Sequence, residues 1–285
     1  MRTLTNGLAG HIAGTAHKRA VMLRLDLVDG STLAVTDHDN PIGFDLGDGE
    51  VEYTPRTGIL PSDISLSTGF DPDDFEVTGP ITETGLTTRT AILGGRFDGA
   101  VARLFQVNHS APSQGAIKLL KGEVVMAEAV DSTFKLTVNS QIARFAQQVG
   151  RIITGYCDAD FGDARCGYTV VPLAATVTAV TDDRTFTVSF TGTYADNYFN
   201  RGTVTFTSGD LNGCRPVEVF DWSAAGAVAL WTSLPESPSI GDTLQLRQGC
   251  GKTRAACLVY DNVVNFRGFP DVPGTDQIMK FPDGT

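Results

Sequence analysis

Cysteines are the residues of this chain best equipped for chemistry. The stretch GYCDADFGDARCGY, Gly155 to Tyr168, holds Cys157-x8-Cys166. A second pair, Cys250-x6-Cys257, follows after residues 167–249. Four thiolates in two pairs serve either a zinc ion or an iron–sulfur cluster. Structural zinc usually draws paired ligands from tight knuckles of about two to four intervening residues. Both spacings here are longer, which favours the wider cube of a [4Fe-4S] cluster, with zinc as the alternative. Five cysteines, an odd and scattered number, do not read as a disulfide scaffold. The plain alternative is that these thiols are small buried hydrophobes. That reading is the better one for Cys214, which lies in LNGCRPVEV outside both pairs at an expected strand start.

A shared site would tie together both ends of the intervening segment, and closing a loop of that length costs on the order of 4 kcal/mol of chain entropy. Glycines flank the sulfurs at Gly167, Gly249 and Gly251, where a missing Cβ lets backbone N–H groups approach a negative centre. Arg165, Lys252 and Arg254 would offset thiolate charge.

Other candidates carry less. CDADFGD offers Asp158, Asp160 and Asp163, but the twelfth position of a calcium loop would be Thr169 rather than a bidentate glutamate. These aspartates are expected in Asx-turns or paired with Arg165. TDHDN, Thr36 to Asn40, reads as a turn at a hairpin end, with His11, His17 and His109 isolated. No phosphate loop, Ser-His-Asp grouping or paired histidine motif is present. The expectation is a protein that is not an enzyme.

The elements positioning the cysteines read as strands. Leu4, Leu8 and Ile12 recur at helical spacing, so a short amphipathic helix is expected over 3–14. VMLRLDLVDGSTLAVTDHD places Val21, Leu23, Leu25 and Leu27 on one face and turns at Asp29-Gly30, predicting a hairpin with a type I′ turn. VEYTP, ISLST, FEVTG, VARLFQV, GEVVMAEAV and FKLTV continue the pattern, so an antiparallel sandwich or barrel is expected. SQIARFAQQVG predicts a closing helix with Ser140 as N-cap and Gly150 beyond its end. AATVTAV, TFTVSF, GTVTFT, RPVEVFDW, AVALWT and TLQLRQ then predict a small closed barrel. The fold class is mainly β, in four segments: a β-rich domain over 1–150, half of the cysteine site over 151–172, an inserted small barrel over 173–248, and the other half with an extended tail over 249–285. Phe266, Phe269 and Phe281 are the aromatics expected to dock that tail.

The formal net charge of -11 argues against gripping a phosphate backbone, which calls for a lysine or arginine stripe. No window of eighteen apolar residues suits a membrane span, and MRTLTNGLAGHIAGTAHKRA lacks the apolar core of an export signal.

Four stretches together resemble a known family: LDLVDGSTLAVTDHDNPIGFD, GRFDGAVARLFQVNH, VGRIITGYCDADFGDARCG and GCGKTRAACLVYDNVVNFRGFPDVPG. They are similar to the hub proteins of phage tail tips, particularly those of gene transfer agents of alphaproteobacteria. A more distant likeness is to the iron–sulfur minor tail protein of lambdoid phages. The likeness covers nearly the whole chain, and its cysteine and NFRGFP pattern is the most specific part.

The resemblance implies a virion structural protein of the tail baseplate, assembled in the bacterial cytoplasm. It implies a homo-trimer between a distal tail protein ring and a central tip or fibre protein, with DNA passing through the channel without specific binding and no membrane insertion by this chain. It also implies that Cys157, Cys166, Cys250 and Cys257 ligate a [4Fe-4S] cluster. The rival expectation is a tail-tip metalloenzyme, such as a cell-wall hydrolase, with a zinc site.

Overall fold

The structure, a computed structural model, describes residues 5–14, 18–55, 58–62, 64–65, 72–146 and 149–272. The chain divides into two compact units, Met1–Gln148 and Val149–Thr285.

In the first unit nine strands are described: β1 (Arg19–Asp26), β2 (Thr32–Thr36), β3 (Ile42–Asp45), β4 (Glu50–Pro55), β5 (Leu60–Pro61), β6 (Asp74–Pro80), β7 (Val101–Asn108), β8 (Ala116–Val130) and β9 (Thr133–Ser140). They hydrogen-bond in the order β3-β4-β2-β1-β7-β8-β9-β6-β5. Every described pairing is antiparallel except β2 with β4, which run parallel through Val35–Thr54. β1 shows why two layers form. Leu23 and Leu25 enter one hydrophobic core with Phe75, Phe97, Phe134 and Leu136. Ala20 and Met22, on the alternate positions, enter a second core with Phe44, Tyr53 and Phe105. A strand whose two faces are both buried must have cover on both sides, and β3 and β4 supply Ile42, Phe44 and Tyr53 to the second.

The β1–β2 hairpin forms in the expected register, Leu25 opposite Leu33, but its turn differs. Gly30 donates to the Leu27 carbonyl at 3.1 Å, and Leu27 donates to that of Ser31 at 2.9 Å. Gly30 takes φ +86° while Asp29 does not enter the left-handed region. The loop is therefore three residues, a tight turn closed by a left-handed glycine, rather than a two-residue type I′ turn. The Asp29 carboxylate accepts from the Ser31 amide at 2.8 Å, which holds that geometry.

Helix α1 (Asn6–Ala13) is capped by Thr5 and buries Leu8, with Leu4 outside the described residues. Short α2 (Arg89–Leu93) is capped by Thr88 and buries Ala91 and Ile92. The helix expected over SQIARFAQQVG is a 3-10 turn, Gln141–Ala146, and residues 147 and 148 lie outside the described ones. Ser140 ends β9 and accepts from the Asp73 amide instead of capping. None of the turn's side chains is buried, and Phe145 is 81% exposed. A short α-helix without a packed face has little to hold it. Of ISLST, Ser65 forms an isolated bridge to Asp74, and residues 66–68 lie outside the described ones.

The second unit contains β10 (Leu173–Val180), β11 (Thr185–Phe190), β12 (Thr203–Phe206), β13 (Val217–Trp222), β14 (Ala227–Leu230) and β15 (Thr243–Arg247). They close into a barrel in the order β10-β11-β14-β13-β12-β15. Alternation fills it: Val177, Phe186, Val188, Val204, Phe206, Val219, Trp222 and Leu244 point inward. Cys214 joins this core at 9% exposure, the apolar filler expected of it. The first and last strands are neighbours, Leu173 opposite Leu246. The chain thus enters and leaves the barrel side by side, which brings the two cysteine pairs to the same end. Helix α3 (Arg254–Val259) follows, capped by the Thr253 hydroxyl.

Candidate metal centre

Cys157, Cys166, Cys250 and Cys257 line a single cavity, with Ala159, Phe161, Tyr260 and Phe266 among its walls. Each comes from a different local device. Cys157 follows an extended segment and donates its amide to the Lys252 carbonyl at 2.8 Å. Cys166 ends a turn built by Asp163, whose carboxylate accepts the Cys166 amide at 2.6 Å. That bond is the main reason the Asp163 carboxyl lies below the ordinary range. Cys250 leaves β15 through Gly249. Cys257 sits on the inward face of α3 and is buried.

All four are free thiols. Among the described residues, no three His, Cys, Asp or Glu side chains converge on a single ion-sized point. The cavity offers four sulfur donors between apolar and aromatic walls, which matches what iron–sulfur clusters and closed zinc sites use. Burial pushes the Cys257 thiol up, and the neighbouring Cys250, Cys157 and Cys166 push it further in the same direction. The residues fit a thiolate-held metal group.

Polar contacts around the sulfurs are specific. The Lys252 amide reaches Cys250 Sγ at 3.4 Å. Asn262 Nδ2 donates to the Cys166 carbonyl at 2.7 Å and lies 3.5 Å from its Sγ. Asn265 Nδ2 holds Asn262 Oδ1 at 2.7 Å, and Cys257 Sγ donates to the Asn262 carbonyl at 3.1 Å. Such outer contacts orient ligands and tune the metal group they hold. Asn262 and Asn265 were not singled out from the sequence, because asparagine in a loop signals a turn as readily as a sulfur contact. Tyr260, Phe161 and Tyr168 stack together with centroids 4.9–5.2 Å apart beside the cavity. Tyr260 Oη donates to the Gly249 carbonyl at 2.9 Å.

Arg165 pairs with the aspartates as expected, and the three cations beside the cysteines all have oxygen partners. Arg165 lies 3.4 Å from both Asp158 and Asp163, Lys252 Nζ bonds the Ala159 carbonyl, and Arg254 lies 3.6 Å from Asp271. Gly249 is fixed by crowding. A Cβ there would collide with the Arg201 backbone, so its role is close approach of two chain segments. His109 is not isolated: its ring centroid lies 4.4 Å from that of His38. His38 Nδ1 accepts from the Asn40 amide at 3.0 Å, within the turn expected for TDHDN. Of the tail aromatics, Phe266 lines the cavity and Phe269 packs under the Arg151 guanidinium at 4.7 Å. Phe281 lies outside the described residues.

Residues 5–169 match the family described as "Baseplate hub protein, N-terminal attachment domain". Residues 197–276 match a second family, "Phage conserved hypothetical protein BR0599". No curated protein matches the chain. A solved chain from the "Virion of native gene transfer agent (GTA) particle" is similar at 26% identity and a TM-score of 0.84. That likeness covers 98% of this chain and 97% of the other. A two-unit β chain matching a hub family over more than half its length, and a virion component from end to end, belongs to the baseplate hub proteins of phage-like tails, where its role is structural.

Proposed function

We propose that this hub protein forms a threefold ring at the tail tip of a virion or gene transfer agent particle. The ring joins the distal tail protein to a central tip or fibre protein. A [4Fe-4S] cluster held by Cys157, Cys166, Cys250 and Cys257 staples the two chain segments at the base of the barrel. The observation that carries the cofactor is that cysteines from both flanks of the barrel line one cavity. The cluster's part is mechanical: it fixes the barrel's base against the segments before and after it. A four-thiolate set leaves no open coordination position for a substrate, which favours this reading over a zinc hydrolase. The net charge of -11 suits a channel that passes DNA without gripping it.

Anaerobic purification followed by visible absorption and iron, sulfide and zinc analysis tests the cofactor. Brown protein holding iron and sulfide in equal amounts is expected. Colourless protein loaded with zinc overturns the cluster and leaves the hub role standing.

A further inference from the structure

Cations from three neighbouring strands line up on one face of the first unit. Arg24 of β1 stands opposite Arg103 of β7, and Arg103 stands opposite Lys121 of β8. Like charges directly across a ladder repel, so a row of three needs carboxylates beside it. Two serve the arginines. Asp26 lies 2.7 Å from Arg24 and 3.6 Å from Arg103, and Asp48 pairs with both. The outer end of the row has none. Lys121 is exposed and has no ion-pair partner among the described residues, and Glu123, two positions further along β8, is held by Arg144. Lys118, opposite Phe105, is likewise exposed and without an ion pair among those residues.

Both lysines line a cavity of about 360 Å³, together with Leu46, Asp48, Arg103 and Leu119. The fold builds it. β3 and β4 cover the Phe105 side of the sheet, and the turn between them brings Leu46 and Asp48 to one wall, while β7 and β8 supply the rest. Its size lies near the lower end of the roughly 300–1,000 Å³ typical of ligand pockets. Half-buried leucines beside two unpaired ammonium groups, in a chain of net charge -11, suit a ligand that is anionic and partly apolar.

We infer that this cavity takes an acidic segment of the neighbouring tail protein, with carboxylates on Lys118 and Lys121 and an apolar side chain between Leu46 and Leu119. This rests on the hub reading, in which residues 5–169 match a family described as an attachment domain. Charge complementarity selects the occupant. A nucleic-acid backbone would also meet the acidic remainder of the chain, whereas a short acidic segment need meet only the cavity.

Co-sedimentation of the intact protein with tails purified from cells that lack it, at rising sodium chloride, tests this. Wild type should bind, and salt should weaken the binding. Lys118→Glu combined with Lys121→Glu should bind roughly tenfold more weakly or worse. Lys18→Glu, the same change at another exposed site, should bind as wild type does. Asp48→Asn frees Arg103 for the ligand, so its binding should survive to higher salt. Weaker binding by the Asp48 variant would mean that the ion pairs only hold the fold, and would overturn the inference. So would full binding by the double lysine variant, which leaves the hub role standing, or an equal loss from Lys18→Glu. Wild-type protein that ignores the tails sinks the hub role and the inference together. Displacement by inorganic phosphate beyond that by chloride at equal ionic strength also overturns it, reassigning the cavity to a phosphate-bearing ligand. Should the double glutamate variant fail to fold, Lys118→Gln with Lys121→Gln repeats the comparison.

Discussion

Asn262 and Cys166 are joined by a hydrogen bond from side-chain amide to backbone carbonyl at 2.7 Å, though 96 residues separate them. The bond spans the same gap as the proposed cluster, without metal. Asn262→Ala should therefore destabilise the second unit by about 1–2 kcal/mol, the cost of a lost bond and a stranded carbonyl. Urea unfolding measures that change, and release of iron to a chelator should also quicken. An unchanged midpoint and release rate would show that the contact is incidental.

Cysteine replacements should sort into two classes. Cys157→Ser or Cys257→Ser should strip the metal and prevent tail assembly. Cys214→Ser should retain full metal content and cost about 1–2 kcal/mol for a hydroxyl placed in the barrel core. Metal analysis beside thermal unfolding separates the classes. Loss of metal from the Cys214 variant would mean that the fifth thiol belongs to the site.

Gly249→Ala adds one methyl group where the chain leaving β15 crosses the Arg201–Gly202 backbone. Gly202 meets Arg247 in the same crossing, so neither segment has room to yield. A loss of at least ~2 kcal/mol is expected from the forced shift. Gly241→Ala is not a fair control because Gly241 adopts φ +99°. Gly150→Ala is better, since a Cβ there meets nothing within 4 Å. Equal behaviour of the Gly249 and Gly150 variants would refute the crowding.

Acid should weaken the first hairpin through Asp29. Burial raises its carboxyl pKa, but the Ser31 hydroxyl and amide, together with Arg96 at 2.9 Å, outweigh that and hold it below the ordinary value. A depressed folded pKa contributes stability that is present above the unfolded value of about 3.9 and is lost as pH falls through the folded one. Asp29→Asn should therefore be less stable than wild type at neutral pH, with the gap closing below about pH 4. Urea midpoints across that range check it. A gap that persists at low pH would assign the loss to geometry rather than charge.

The barrel was readable because each strand is bounded by turn residues and alternates inward Val, Phe and Leu with outward polar groups. All six predicted runs became strands. The first unit was less legible. Met22 and Ala20 interrupt the simple alternation of β1 because a second layer covers them, and Ile42–Asp45 is too short to announce the strand that provides it. The 141–146 segment has helical composition but no packed face, and packing decided against it. At the cavity lined by Cys157, Cys166, Cys250 and Cys257, the pairing of the cysteines in sequence was informative about which residues meet. The asparagines and the tyrosine around it were not, since their partners lie far off in sequence and the contacts exist only after folding. His109 illustrates the same limit, its neighbour His38 arriving from another hairpin.

Leu173 and Leu246 face each other on paired strands at the barrel's mouth. Antiparallel partners stand only ~5 Å apart, so the whole barrel begins and ends at nearly one point. The barrel thus hangs from two neighbouring threads, and the cavity they lead to is lined only by chain that lies before and after it.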